Sequence, residues 1–194
     1  LTLPIKKGRI FMIFRKDYDV KIAVPENATE REKFAASELQ KYIKKICGAE
    51  FEISSDNKEF RGLTIAIGGP ERNAITAKYI SEAEFDSIVP GPEGLFIKLY
   101  EDCLVLAGSS KNSNENERGT IYAVYEFLER FLDCSLAAYT KEGVPGGEYV
   151  SQMDEIDLSD IYYSKSKADL PMRGVCAQYS AHGVGEDYDL NVPF

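Results

Sequence analysis

Short stretches of alternating or continuous apolar residues, bounded by turn residues, recur along this chain and predict β-strands. These stretches are residues 9–14, 20–24, 51–53, 63–67, 94–100, 103–108 and 161–164. The pair 94–100 and 103–108 is separated only by Glu101-Asp102, a connection short enough for a hairpin. The sequence therefore predicts a sheet built from several short strands.

Two longer stretches repeat apolar residues every three or four positions, which is the period of an amphipathic helix. The first begins at Thr29 and Glu32, whose spacing fits a capping box, and ends at Gly48, a typical C-cap residue. Its apolar face is Ala35, Leu39, Ile43 and Ile46. The second runs from about Arg118 to Leu132. Its apolar face is Ile121, Val124, Tyr125, Leu128, Phe131 and Leu132.

The remaining segments predict a short helix within 71–80 and loops over 81–92 and 109–117. Helices, strands and hairpin interleave without a regular βαβ rhythm. The sequence therefore predicts an α+β fold of two layers, with a mostly antiparallel sheet and the two main helices on one face.

The composition changes in the last third of the chain. A turn-rich joint with Gly143, Pro145, Gly146 and Gly147 is followed by the last predicted strand, and a new kind of segment begins near Pro171. A tail of about 20 residues cannot build a core of its own. We therefore expect an α+β domain over 1–165, and a linker with the start of a truncated second domain over 166–194.

Charge excludes two classes of partner. The 194 residues carry a formal net charge of −9, although 44% are hydrophobic and 28% charged, as in ordinary globular proteins. Phosphate backbones and anionic lipids attract clustered Lys and Arg, so nucleic acid and membrane are not expected partners. No apolar run approaches the roughly 20 residues of a membrane-spanning helix.

Cysteine and histidine positions give no sign of a metal or cofactor. The cysteines lie far apart in the sequence, at Cys47, Cys103, Cys134 and Cys176, and His182 is the only histidine. A zinc site would need an unusual ligand set. We expect the cysteines to be small buried hydrophobic residues, and we expect no metal and no cofactor.

Pairs of carboxylates are candidate catalytic groups, because two carboxylates are the minimum for glycoside hydrolysis. The candidates are Glu101 with Asp102, Glu126 with Glu129, and the tail acids Glu186, Asp187 and Asp189. The first pair lies in a hairpin turn and the second beside the apolar face of a helix, where solvated charges are common. Gly68-Gly69-Pro70 lacks the spacing of a phosphate-binding loop and predicts a turn. We therefore assign no catalytic residue.

Both helical segments resemble those of a known protein class. The segment 28–43 (ATEREKFAASELQKYI) resembles the first helix of the N-terminal domain of α-glucuronidases and β-N-acetylhexosaminidases. The segment 118–129 (RGTIYAVYEFLE) resembles the helix after the last hairpin of that domain, and a bacterial family of secreted proteins shares both motifs. The resemblance covers about residues 15–175. It implies a non-catalytic accessory domain beside a catalytic (β/α)8 barrel of a glycoside hydrolase.

The resemblance also implies a partner, a location and one site residue. The partner is the barrel of the same protein, with an oligo- or polysaccharide as a further ligand, in the periplasm or outside the cell. Leu170 to Val175 resembles the entry to the first barrel strand, where an Arg followed by Gly contacts the sugar, so Arg173 is the substrate-binding candidate. An interdomain role for Arg173 is the alternative. The catalytic carboxylates of these enzymes come from later barrel strands, which lie beyond this chain.

Two other functions stay open at the level of sequence. The chain contains 12 Tyr and 10 Phe, which would suit a stand-alone glycan-binding module, although such modules more often use Trp and this chain has none. A small hydrolase using His182 with a tail acid is the third hypothesis.

Overall fold

The described part of the chain folds into short strands and helices in a computed structural model, which covers residues 11–58, 62–91, 93–109, 118–135 and 149–167. The strands are β1 (Phe11–Phe14), β2 (Val20–Val24), β3 (Glu52–Ser55), β4 (Leu63–Ile67), β5 (Leu95–Leu99), β6 (Cys103–Gly108), β7 (Cys134–Ser135), β8 (Tyr149–Val150), β9 (Ile156–Ser159) and β10 (Tyr162–Lys165). The helices are α1 (Glu30–Cys47), α2 (Thr76–Tyr79), α3 (Glu82–Ile88) and α4 (Gly119–Phe131).

The main sheet is mixed. Within the described ranges it has the strand order β10-β5-β6-β4-β2-β3. Strands β3, β2, β4 and β6 pair in parallel, whereas β5 is antiparallel to both β6 and β10. The pairs β1 with β9 and β7 with β8 are also antiparallel. Parallel pairing is therefore confined to one side of the sheet.

One face of the main sheet holds the larger apolar core. Alternate residues of the central strands, including Ile22, Ile65, Ile97 and Leu104, are fully buried there against α1 and α4. Helix α1 begins with the predicted capping box and ends at Gly48, whose φ is 72°. The predicted α+β class with two main helices on one face is confirmed.

The opposite face of the sheet carries a smaller cluster. Its strand residues are mostly small, among them Ala23, Ala66 and Ala107, and they pack against α2, α3 and the segments around them. The prediction of a loop over 81–92 was wrong for 82–88, which form α3. Ser81 caps this helix, and Phe85 is buried in the second cluster. A helix of seven residues is too short to show a clear apolar period in sequence.

Some predictions fall partly or wholly outside the described ranges. Residues 9–10 of the first strand, 110–117 of the polar loop and the whole segment 168–194 belong to that group. The boundary expected after residue 165 therefore stays a prediction. Strand β9 (IDLS), which pairs with β1, was not predicted because it is short, with only two apolar residues, and lies among acids at 154, 155, 157 and 160.

The connections that follow β2 and β4 run over opposite faces of the sheet, so the boundary between these two strands is a topological switch point. From β2 the chain crosses through α1, on the larger-core face, to β3 on one side. From β4, the neighbour of β2 on the other side, it continues through α2 and α3 on the second face. In open sheets with parallel strands, ligands bind outside the carboxyl ends of the strands at such a point. The ends of β2 and β4 therefore form the first candidate site.

Candidate functional site

Asn73 occupies the space between the carboxyl ends of β2 and β4. Its side-chain nitrogen donates to the carbonyl oxygens of Ala23 and Ile67, at 3.0 and 2.9 Å. Its side-chain oxygen accepts from the amides of Ile75 and Thr76, at 2.9 and 3.2 Å. The side chain is 0% exposed. Asn73 therefore joins two parallel strands where they stop pairing and starts the turn into α2.

An ion pair closes the same edge from the helix side. The Arg72 guanidinium donates from Nε to Oε1 of Glu32 at 2.7 Å and from Nη2 to Oε2 at 2.8 Å. Glu32 is 5% exposed, and its Oε2 also accepts from the backbone amide of Thr29 at 2.7 Å. A paired, hydrogen-bonded carboxylate of this kind is suited to holding the start of α1 in place.

Gly68 shows how little room remains at this edge. Its φ is 108°, a conformation that favours glycine, and a Cβ there would lie 3.2 Å from Oε1 of Glu32 and 3.5 Å from Cγ of Pro25. We call Glu32, Gly68, Arg72 and Asn73 the switch-point cluster. Because these groups bond to one another and to the backbone, the place where a ligand would bind is filled by the chain itself.

The α4 segment that carries the family resemblance serves the packing of this domain. A Cβ at Gly119 would overlap the carbonyl oxygen of Gly94 and lie 3.0 Å from Cα of Gly108. The amide of Gly108 donates to Oγ1 of Thr120 at 3.1 Å. Backbone therefore touches backbone where α4 begins beside the β5–β6 hairpin, and the Gly-Thr pair makes this approach possible.

Polar side chains of the same segment fasten α4 to its neighbours. The hydroxyl of Tyr125 donates to Oε2 of Glu38 on α1 at 3.1 Å. Glu126 binds Arg130 on its own helix and lies 3.5 Å from Nζ of Lys165 on β10. Glu126, one of the predicted acid candidates, is thus engaged in ion pairs, in line with a surface role.

The tyrosines of the described part include three with a raised pKa, and this gives a testable expectation. Burial raises the pKa of Tyr100 to about 12 and of Tyr125 to about 12, and burial with a hydrogen bond to Asp102 raises that of Tyr79. A group whose pKa is raised by folding stabilises the fold fully below its unfolded value of 10. That stabilisation is lost as the pH rises through 12.

We expect Tyr125→Phe to lower the free energy of unfolding by about 1 kcal/mol at pH 7, because the bond to Glu38 is lost. It should also make the fall in stability above about pH 10 shallower. Urea denaturation at several pH values measures both effects. Tyr149→Phe, at an exposed tyrosine, is the control and should change neither. An unchanged alkaline slope in Tyr125→Phe would contradict the assignment.

Lys21 is a charged side chain buried on the second face of the sheet. It is 3% exposed, and its Nζ donates to the carbonyl of Lys58 at 2.9 Å. Burial lowers the pKa of its ammonium group. Buried lysines of lowered pKa occur in active sites, but this one binds the turn after β3 to the sheet. Its role in the fold is sufficient to explain it.

A group of partly exposed aromatic rings lies on the second face, at the end of β5. The rings of Tyr79 and Tyr100 have centroids 4.8 Å apart, and the Tyr79 hydroxyl donates to Asp102. Nζ of Lys98 lies 4.8 Å from the centroid of Tyr100 and 5.9 Å from that of Tyr162. We call Tyr79, Lys98, Tyr100, Asp102 and Tyr162 the tyrosine face.

The tyrosine face was not predicted from the sequence, although part of its pattern is visible there. Lys98 and Tyr100 are two residues apart and therefore share one face of β5 and its continuation. Tyr162 joins them because it is the register partner of Lys98 in β10. Tyr79 comes from α2, so only the folded chain places it there. The predicted acid Asp102 is also part of this face.

The remaining candidates from the sequence are the tail residues and the cysteines. Arg173, His182, Cys176 and the tail acids 186, 187 and 189 lie outside the described residues. Of the described cysteines, Cys103 and Cys134 are buried and Cys47 is partly so, all with free thiols. Burial raises the pKa of the Cys103 thiol to about 12, which suppresses its reactivity.

The described ranges lack three features that would point to other chemistry or to a membrane. No cluster of three or more His, Cys, Asp or Glu residues there could hold a metal ion. In the same ranges, every buried side-chain nitrogen or oxygen has a hydrogen-bond partner. Helices long and apolar enough to cross a membrane are likewise not found in this part of the chain.

Comparison with known proteins gives a likeness in fold. No family model and no curated protein sequence matches the chain. A solved structure described as a "novel family GH115 4-O-Methyl-alpha-glucuronidase, BtGH115A, with specificity for decorated arabinogalactans" matches 79% of this chain at 14% identity, with a TM-score of 0.53. The structure of CpGH84D matches 82% of it at 17% identity, with a TM-score of 0.43.

This chain corresponds to only a small part of each matched protein. This chain spans 18% of the length of the α-glucuronidase and 23% of that of CpGH84D. The likeness to α-glucuronidases inferred from the two helical motifs is thus confirmed at the level of fold. The chain is similar to one part of a much larger glycoside hydrolase.

Proposed function

We propose that this chain is the non-catalytic N-terminal domain of a carbohydrate-degrading glycoside hydrolase and that it supports the catalytic barrel. The main support is the use made of the motif at 118–129. Gly119, Thr120, Tyr125 and Glu126 all serve packing or contacts within the domain. Because the motif shared with such enzymes serves packing inside the domain, it favours a structural role for the domain.

The switch-point cluster supports the non-catalytic part of the proposal. A ligand at the ends of β2 and β4 would have to displace Asn73 and the ion pair of Arg72 with Glu32. Glu32 is 5% exposed, so separating it from Arg72 would leave a nearly buried carboxylate without its partner, which is unfavourable. The contacts within the switch-point cluster therefore disfavour substrate binding at this edge.

The finer parts of the proposal follow from the family resemblance. The domain extends over 1–165, and 166–194 links it to the first barrel strand. There Arg173 contacts the sugar, since a guanidinium donates paired hydrogen bonds to hydroxyl groups. A periplasmic or extracellular location fits an enzyme that acts on polysaccharides.

The natural coding sequence around this chain provides the test. We expect it to continue past Phe194 into a barrel of roughly 250 residues. In that longer protein, removal of residues 1–165 should lower the thermal midpoint of the barrel by several degrees, because a supporting interface is lost. Differential scanning calorimetry of both forms measures this.

Activity measurements complete the test. This chain alone should not hydrolyse nitrophenyl glycosides of glucuronic acid or N-acetylglucosamine. In the longer protein, Arg173→Ala should lower kcat/KM by about tenfold or more with an unchanged thermal midpoint, while Arg130→Ala, a change distant in sequence, leaves kcat/KM intact. A stop codon directly after Phe194, or hydrolysis of either glycoside by this chain alone, would overturn the proposal; loss of that hydrolysis in His182→Ala would favour the small hydrolase instead.

A further inference from the structure

The tyrosine face is a surface that the packing of the domain does not use up. Tyr162 is 56% exposed, although large aromatic side chains usually lie inside a fold. Tyr79 and Tyr100 are half-buried, and they present a tilted pair of rings with an angle of 33° between their planes. An exposed aromatic group rimmed by polar atoms marks an interaction surface.

Polar groups of this face are suitably placed for hydroxyl groups of a ligand. The ammonium group of Lys98 lies between the rings of Tyr100 and Tyr162. In the described part of the chain this ammonium group forms no ion pair, and Lys98 is partly exposed. The Asp102 carboxylate, held by the hydroxyl of Tyr79, supplies acceptors beside the rings.

The size of the face argues for a small ligand rather than a second protein. With about 250 Å² for each tyrosine, one of them half exposed and two less so, the rings offer on the order of 300 Å². A stable protein interface buries about 800 Å² on each partner. After β10 the chain lies beside the start of β5, where the amide of Gly91 donates to the carbonyl of Ser166. The tyrosine face lies at the other end of β5.

Charge narrows the class of ligand. Asp102 belongs to the face, and Glu84 is close enough to Tyr100 to contribute to its raised pKa. The carboxylates of Asp102 and Glu84 thus lie at or near the face together with the ammonium group of Lys98, and the whole chain has a net charge of −9. An acidic sugar would meet repulsion here, whereas a neutral sugar offers C–H groups for the rings and hydroxyl groups for Lys98 and Asp102.

We propose that the tyrosine face binds a neutral oligosaccharide, with a sugar ring stacked on Tyr162 and its hydroxyl groups bonded to Lys98 and Asp102. The site would hold a glycan chain at a distance from any catalytic centre. This inference goes beyond the supporting role proposed above. Its failure would leave that role untouched, because the test below uses this chain alone and no barrel.

Titration calorimetry and NMR of the full 194-residue chain test the proposal. The probes are neutral hexasaccharides of β-linked galactose, xylose and glucose, with hexagalacturonate as the acidic probe. We expect at least one neutral probe to bind with a Kd of about 1 mM or lower and hexagalacturonate to bind more weakly. Binding of no neutral probe, or tighter binding of hexagalacturonate, would overturn the proposal.

Matched variants locate the site. Tyr162→Ala should weaken binding by about tenfold or more, whereas Tyr162→Phe, which keeps the ring, should change it by about twofold at most. Tyr149→Ala is the control, since Tyr149 is also 56% exposed but belongs to β8. Circular dichroism confirms the fold of each variant. Equal losses in Tyr162→Ala and Tyr149→Ala would mean that the sugar does not bind at this face, and a dimer that Tyr162→Ala abolishes would mean that the face serves self-association. Either outcome would overturn the proposal.

Discussion

Gly119→Ala is expected to destabilise the domain by about 3 kcal/mol, the reverse of the usual effect of this change in a helix. Within an ordinary helix, alanine is favoured over glycine by about 1 kcal/mol. Here the added Cβ would overlap the carbonyl oxygen of Gly94 and press on Cα of Gly108. Both neighbours are backbone atoms that cannot rotate away, so α4 would have to move off the hairpin.

Guanidinium denaturation followed by far-ultraviolet circular dichroism measures the effect. Gly48→Ala is the matched control: its φ is 72°, but a Cβ there would have no other atom within 4 Å. It should therefore cost only about 1 kcal/mol, from backbone strain alone. A neutral or stabilising Gly119→Ala would show that α4 does not need this close approach.

Asn73→Asp is expected to cost about 3–5 kcal/mol at pH 7, although the two side chains have nearly the same shape. The amide nitrogen that donates to Ala23 and Ile67 would be replaced by a carboxylate oxygen. The change would leave two buried carbonyls without their donor and bury a charge beside them. The loss therefore comes from polarity rather than from a cavity.

The dependence of this loss on pH identifies its cause. Burial raises the pKa of the introduced carboxyl above its unfolded value of about 3.9. The neutral form stabilises the fold below that value, and the stability falls as the pH rises through the folded pKa. We expect urea denaturation to show a smaller deficit near pH 4 than at pH 7.

Asn57→Asp is the control for Asn73→Asp, because Asn57 is exposed. It should change the free energy of unfolding by no more than about 0.5 kcal/mol at either pH. A similarly small effect at Asn73 would mean that the switch point is open to water and that this edge of the sheet is not closed.

Local patterns were sufficient for the elements that depend on neighbouring residues. Thr29 and Glu32 are three residues apart and satisfy each other's backbone groups, so the start of α1 was predictable. The hairpin of β5 and β6 was predictable for the same reason, since its pairing is set by a connection of a few residues. Helix α3 was not predicted because it has a single buried residue, Phe85, and one residue cannot show the apolar periodicity of a helix.

Pairing between distant segments was beyond local patterns. The ion pair of Arg72 with Glu32 spans 40 positions, and the contact of Asn73 with Ala23 spans 50. Nothing within either neighbourhood distinguishes these side chains from solvated ones. The strand order, with β2 between β3 and β4, likewise depends on the connections through the two faces.

Periodicity and motifs are local properties of a chain, so the α+β class, the two main helices and the likeness to a domain of glycoside hydrolases were all visible in the amino-acid sequence. The folded chain was needed to show that the edge of the sheet at β2 and β4 is closed, that Gly119 is a contact residue, and that Tyr79 joins Tyr100 and Tyr162 on one surface. These features rest on burial and hydrogen bonds between groups that are distant in sequence and meet only when the chain folds.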